Sequence, residues 1–109
     1  MIGNLEPEET VMSTTIPRFL IFSKESCGPC MLVKKYFRTI NDPRVSVIEE
    51  ISLDLGAPQE NFLLAKKYTD GATPTLVVVN DFEERIEKYV GGLEITQNIR
   101  KLFNKYGVY

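Results

Sequence analysis

Both cysteines of this 109-residue chain fall in one short stretch, Ser26-Cys27-Gly28-Pro29-Cys30, two residues apart. The pair stands where a strand-like run gives way to a helical pattern, so it marks a junction that the fold has to build in one particular way. A closely spaced dithiol at such a junction can be a reagent as well as a cross-link. The rest of the chain reads as scaffold for it.

The segment before the pair, Arg18-Phe19-Leu20-Ile21-Phe22-Ser23, is a continuous apolar run of strand length, as expected for a strand covered on both faces. After it, Val33, Phe37 and Ile40 share one helical face with Cys30 a turn ahead of them, while Lys34, Lys35 and Arg38 fall on the other. Asn41-Asp42-Pro43 ends that helix, because a residue before proline is pushed out of the α region. Val45 to Ile51 is rich in β-branched residues and predicts a second strand.

Phe62, Ala65 and Tyr68 predict a second helix over Pro58–Tyr68, closed by Thr69-Asp70-Gly71. Thr75-Leu76-Val77-Val78-Val79 is the most apolar β-type segment; Asn80-Asp81 is a turn signal, and Arg85 to Val90 returns as an antiparallel partner. Ile95, Ile99, Leu102, Phe103 and Tyr106 line one face of a last helix, Glu94 to Tyr106, that stops at Gly107. The order is a βαβ unit joined to a ββα unit. It predicts an α/β domain with a mixed four-stranded sheet and helices on its faces, over residues 17–109. Residues 1–16 form an N-terminal extension in which Pro7-Glu8-Glu9 suits the first turn of a short helix.

Composition narrows the chemistry. A net charge of −2 gives no reason to expect nucleic acid or an anionic membrane as partner. No apolar run approaches the ~20 residues that span a bilayer, and Met1 to Thr10 carries Glu6, Glu8 and Glu9 in place of a secretory leader's pattern. A cytosolic monomer is the expectation. Two cysteines are too few for a disulfide-stapled secreted scaffold. With no histidine and no further cysteine, the pair offers at most half of a four-ligand metal site, so neither metal nor cofactor is expected, short of a site bridged between two chains.

Redox chemistry needs one thiol that ionises near neutral pH and a second within reach of the mixed disulfide. Cys27, at or just before the first helical turn, meets unpaired backbone N–H groups and the positive end of the helix dipole. Moving its pKa from ~8.5 to ~7 raises the thiolate fraction at pH 7 from roughly 3% to about half, a difference of ~2 kcal/mol. Cys30, a turn further in, would stay protonated until it attacks. Gly28 permits close approach of a substrate, and Pro29 fits a first turn where its missing N–H costs nothing. Thr73-Pro74 ahead of the apolar strand is in itself an ordinary strand boundary, and Gly91-Gly92 an ordinary turn.

Taken together, Cys27-Gly28-Pro29-Cys30 after a buried strand, Thr73-Pro74 before a second one, and Gly91 after the hairpin resemble the thioredoxin family over residues 17–106. The resemblance implies a thioredoxin fold with a cis Thr73-Pro74 peptide packed against the dithiol, and substrate contacts at Gly28, Pro29, Thr73, Pro74 and Gly91. It implies disulfide-containing proteins as substrates and a thioredoxin-reductase-type partner for recycling. Two departures stand out: Ser26 replaces the usual tryptophan, and Ile21 replaces the buried aspartate that takes the resolving cysteine's proton. Glu25, Glu49, Glu50 and Asp54 are candidate stand-ins, with solvent as the simpler acceptor.

Lys24, Gly91-Gly92 and Glu94 are similar to a glutaredoxin pattern that receives glutathione, although Ile95 stands where that pattern has a second acidic residue. The expected function is a thiol–disulfide oxidoreductase that reduces protein disulfides, with Cys27 attacking and Cys30 resolving. The alternatives are a glutathione-recycled enzyme and a binding or assembly subunit of the same fold.

Overall fold

Two uninterrupted apolar strands form the middle of the molecule. The structure, a computed structural model, describes residues 16–109. Strand β1 (Arg18–Ser23) pairs in parallel with β2 (Ile48–Ser52) and antiparallel with β3 (Thr75–Val79), and β3 pairs antiparallel with β4 (Arg85–Val90). The sheet order is β2-β1-β3-β4, so the strands without alternating polarity are the two interior ones.

The period-two alternation of those strands divides the core between the two faces of the sheet. Phe19, Ile21, Leu76 and Val78 lie beneath helix α1 (Gly28–Thr39) and helix α3 (Gly92–Lys105), packed with Val33, Phe37, Ile95, Ile99, Leu102 and Phe103. Leu20, Phe22, Val77 and Val79 lie on the opposite face with Ala65 and Tyr68 of helix α2 (Gln59–Tyr68). Helices therefore cover both faces, as the element order predicts. Phe103 and Phe19 meet edge to face at 5.6 Å, joining α3 to the central strand.

The boundaries depart from expectation in places with identifiable causes. Val45 to Val47 is not strand; Pro43–Val47 forms a short 3₁₀ helix, and β2 begins only at Ile48. Asp42 caps this turn by accepting from the Arg44 backbone N–H at 3.0 Å and from the Arg44 guanidinium, whose other arm donates to Asn104 Oδ1 at 2.8 Å. The side-chain and backbone donors of Arg44 lower the Asp42 carboxyl to about 2. The guanidinium also stacks over Phe103 at 5.1 Å, so one arginine pins the loop to α3 against the β preference of its valines. Helix α2 starts at Gln59 with Pro58 as its cap, and α3 starts at Gly92, two residues before Glu94. The short helix expected near Pro7 lies outside the described residues. Among those described, no helix is long and apolar enough to cross a membrane.

At the far end of α3, Glu87 of β4 accepts hydrogen bonds from the Tyr89 and Tyr106 hydroxyls and from Lys105 Nζ at 2.8 Å. Burial pushes its carboxyl upward, and the three donors outweigh that and hold it below the usual range. A depressed carboxyl stabilises the fold above its unfolded value, and the gain is lost as pH falls through the folded one. Glu87→Gln should therefore cost about 1–2 kcal/mol in urea unfolding at pH 7. The gap to the parent protein should shrink steadily as pH falls below the ordinary glutamate range, where the parent's carboxyl also becomes neutral.

Candidate active site

The antiparallel register sets Phe22 of β1 opposite Thr75 of β3, so the C-terminal end of one strand and the N-terminal end of the other share one edge of the sheet. The loops leaving those ends carry the cysteines and Thr73-Pro74. Cys27 is the N-cap of α1, in extended geometry at φ −99° and ψ 113°, and its Sγ accepts from the Cys30 backbone N–H at 3.2 Å. Pro29 occupies the first turn, and no acidic side chain is present there to oppose a negative charge at the cap. Cys27 is partly exposed; Cys30 is buried, at 1% exposure. The two sulfurs are joined as a disulfide with a Cα–Cα separation of 5.2 Å.

The facing loop comes close. Thr73 O lies 3.5 Å from Cys27 Sγ, and the Thr73–Pro74 peptide is cis, as the family resemblance implies. Pro74 itself is buried, so it backs the site and leaves the exposed surface to its neighbours. Its carbonyl accepts from the Gly91 N–H at 2.9 Å, which ties this loop to the start of α3. Gly91 caps α3 at φ +94° and ψ 153°, a conformation that glycine alone adopts readily. At Gly92 a Cβ would sit 3.4 Å from Pro29 O and 3.5 Å from Val33 Cγ2, so the bare backbone lets α3 close on the dithiol helix. Cys27, Gly28, Pro29, Cys30, Thr73, Pro74 and Gly91 thus gather at one end of the sheet.

One positioning residue of this end was not singled out for that role in the sequence. Asp54 Oδ1 accepts from the Glu25 N–H at 2.8 Å and Oδ2 from Ser52 Oγ at 2.9 Å, anchoring the approach to Cys27 on the loop after β2. The Glu25 backbone donor, then the Ser52 hydroxyl, hold its carboxyl below the ordinary range. Ser-x-Asp after a strand was a readable turn signal, but its partner lies 29 residues away.

The carboxylates weighed as substitutes for the missing buried aspartate separate by their partners. Glu49 is held by Arg18 at 2.7 Å on the sheet edge, Asp54 is engaged as described, and Glu25 and Glu50 are exposed. Among the described residues none of the four hydrogen-bonds to either cysteine. Ile21 is buried in the core beneath α1. Of the glutaredoxin-like positions, Lys24 is exposed beside the cysteine loop, whereas Glu94 is committed to the Val90 N–H at 2.9 Å and Ile95 is fully buried.

Replacing Gly91 by alanine tests the link between the two loops. A Cβ at this φ should cost about 1–3 kcal/mol of stability by urea unfolding. The same variant should slow disulfide exchange at Cys27, since the cap that carries the bond to Pro74 O has to move.

No family model and no curated protein matches the sequence. Solved structures do match. A thioredoxin of Malassezia sympodialis is 17% identical, with 92% of this chain and 83% of that chain covered at a TM-score of 0.61. A thioredoxin of Fasciola hepatica is 20% identical, covering 90% and 89% at 0.60. The C-terminal domain of DsbD from Neisseria meningitidis, in its reduced form, is 21% identical, covering 88% and 91% at 0.60. Sheet order, helix placement and these likenesses agree: the chain has the thioredoxin fold.

Proposed function

We propose that this chain is a thiol–disulfide oxidoreductase that reduces disulfides in other proteins. The observation that carries the reading is Cys27 at the cap of α1, partly exposed, its sulfur receiving the Cys30 N–H, with Cys30 buried one turn behind it. A sulfur that accepts a backbone donor at a helix N-terminus is stabilised as thiolate, which is the nucleophile in thiol–disulfide exchange. Gly28, Pro29, Thr73 and Gly91 form the rim against which a substrate chain docks, with the Thr73 backbone as its pairing edge and buried Pro74 holding that edge in place.

In the forward step the reduced Cys27 thiolate attacks one sulfur of the substrate disulfide. A mixed disulfide forms, and the first substrate thiolate leaves and takes a proton from water. Cys30 then loses its proton and attacks Cys27 Sγ, expelling the second substrate thiolate and closing the Cys27–Cys30 disulfide. Two electrons pass from the dithiol to the substrate. Among the described residues no carboxylate hydrogen-bonds to Cys30, and we assign its proton to water. A thioredoxin-reductase-type partner returns the two electrons; the engagement of Glu94 and the burial of Ile95 weigh against glutathione in that role.

Cys27→Ser should bring the reduction of a protein disulfide down to background, and retained activity would defeat the assignment. Cys30→Ser should instead accumulate a covalent mixed disulfide with substrate, visible by mass spectrometry under non-reducing conditions. In that same variant the alkylation rate of Cys27 should rise with a midpoint below the ~8.5 of a free thiol. Recycling is read by coupled NADPH consumption, with turnover expected with thioredoxin reductase and not with glutathione and its reductase.

A further inference from the structure

Ser23, the last residue of β1, is a polar side chain in an apolar place. It is 4% exposed, and among the described residues its hydroxyl has no hydrogen-bond partner. Its backbone carbonyl accepts from the Leu53 N–H at 2.9 Å, and the hydroxyl next to it in the parallel register, Ser52 Oγ, is engaged by Asp54 at 2.9 Å. Buried hydroxyls are as a rule paired, because an unpaired one forfeits its bonds to water. An unpaired one at a strand end therefore points to a partner that another state of the protein supplies.

Strand pleat and helix direction identify that partner. Alternation along β1 sets Ser23 on the same face as Phe19 and Ile21, beneath α1. As the crossover between the parallel strands β1 and β2, α1 runs back along β1 from the end where Ser23 stands. The buried stripe of α1 is Cys30, Val33 and Phe37, and the stripe of β1 in the same direction is Ser23, Ile21 and Phe19. Val33 and Phe37 pack in one cluster with Ile21 and Phe19. Steps of about 4.5–6 Å along the helix against about 6.6 Å along the strand then leave Cys30 over Ser23. The facing loop agrees: carried one position past Phe22–Thr75, the antiparallel register sets Ser23 beside Pro74, and the preceding carbonyl, Thr73 O, lies 3.5 Å from Cys27 Sγ.

We infer that Ser23 is the hydrogen-bond partner of the Cys30 sulfur once the Cys27–Cys30 bond is open. The inference rests on the reductase reading and adds to it a residue that supports Cys30. In the disulfide, Cys30 Sγ has neither a proton to give nor a charge to stabilise, and the hydroxyl stands unpaired. Reduction makes Cys30 a thiol, whose S–H the Ser23 oxygen accepts; once that proton passes to water, the same O–H donates to the thiolate. Ile21, one step deeper on the stripe, has nothing to offer either form. In the resolving step the Cys30 thiolate attacks Cys27 Sγ of the mixed disulfide, the Cys27–Cys30 bond forms, and the substrate sulfur leaves as thiolate. Ser23 raises the share of Cys30 ionised for this attack, and by favouring the reduced protein it makes the disulfide easier to reduce.

The test compares the full chain with its Ser23→Ala variant. Equilibrated with reduced and oxidised dithiothreitol, the variant should need a ratio about three- to tenfold more reducing for half reduction, the size of one hydrogen bond. In stopped flow, protein reduced with dithiothreitol and desalted meets excess dithiobis(nitrobenzoate): the first thiolate released reports attack by Cys27, the second resolution by Cys30. Ser23→Ala should leave the first phase unchanged and slow the second about three- to tenfold, because stabilising a thiolate raises its fraction more than it lowers its nucleophilicity. In urea the oxidised variant should be as stable as the parent or more so, and the reduced variant less stable. A parental redox midpoint or a parental second phase would overturn the partnership and leave the reductase standing. An equal loss of stability in both redox forms would do the same, since it marks a hydroxyl that serves packing alone. A parent protein with no first phase would defeat the reductase reading itself.

Discussion

The antiparallel pairing of β1 with β3 is the constraint from which the rest follows. Because Phe22 stands opposite Thr75, the chain leaving β1 and the chain entering β3 emerge side by side, and Cys27 and Thr73 come within 3.5 Å although 46 residues separate them. The register is held from both faces: Phe19 and Ile21 on one and Leu20 and Phe22 on the other are all buried, so a slip by one residue would exchange the two cores. The site is placed by burial on both sides of a strand that itself carries no reactive group.

Around that pair, a few backbone bonds convert proximity into fixed geometry. Pro74 O to Gly91 N links the loop before β3 to the cap of α3, Gly92 lets α3 lie against Pro29 and Val33, and Asp54 holds the entry to Cys27. A dithiol held this way loses little conformational freedom on meeting a substrate, because its cap, its buried partner and the facing carbonyl are already in position.

What the sequence made legible was what depends on local pattern. β1 and β3 were readable as unbroken apolar runs, α3 from the spacing of Ile95, Ile99, Leu102 and Phe103, and the helix start at Cys27 from Gly28-Pro29. The 3₁₀ turn at Pro43–Val47 was not, because Arg44 reaches Asn104 across 60 residues and overrides the β preference of its neighbours. At the site, the cysteines and the Thr73-Pro74 loop could be named in advance, whereas the Asp54 anchor arises only when the loop after β2 folds beside the approach to Cys27. Phe62 marked α2 by its spacing with Ala65 and Tyr68, yet it stays 37% exposed while those two are buried.

The chain has no histidine, so the cysteines are the side chains whose ordinary pKa values lie nearest neutrality. Closing the Cys27–Cys30 disulfide removes two thiols, and opening it restores both, one of them at the cap of α1. Oxidation state and surface charge are thereby linked: reduction adds negative charge at the cap of α1 to the extent that Cys27 ionises there.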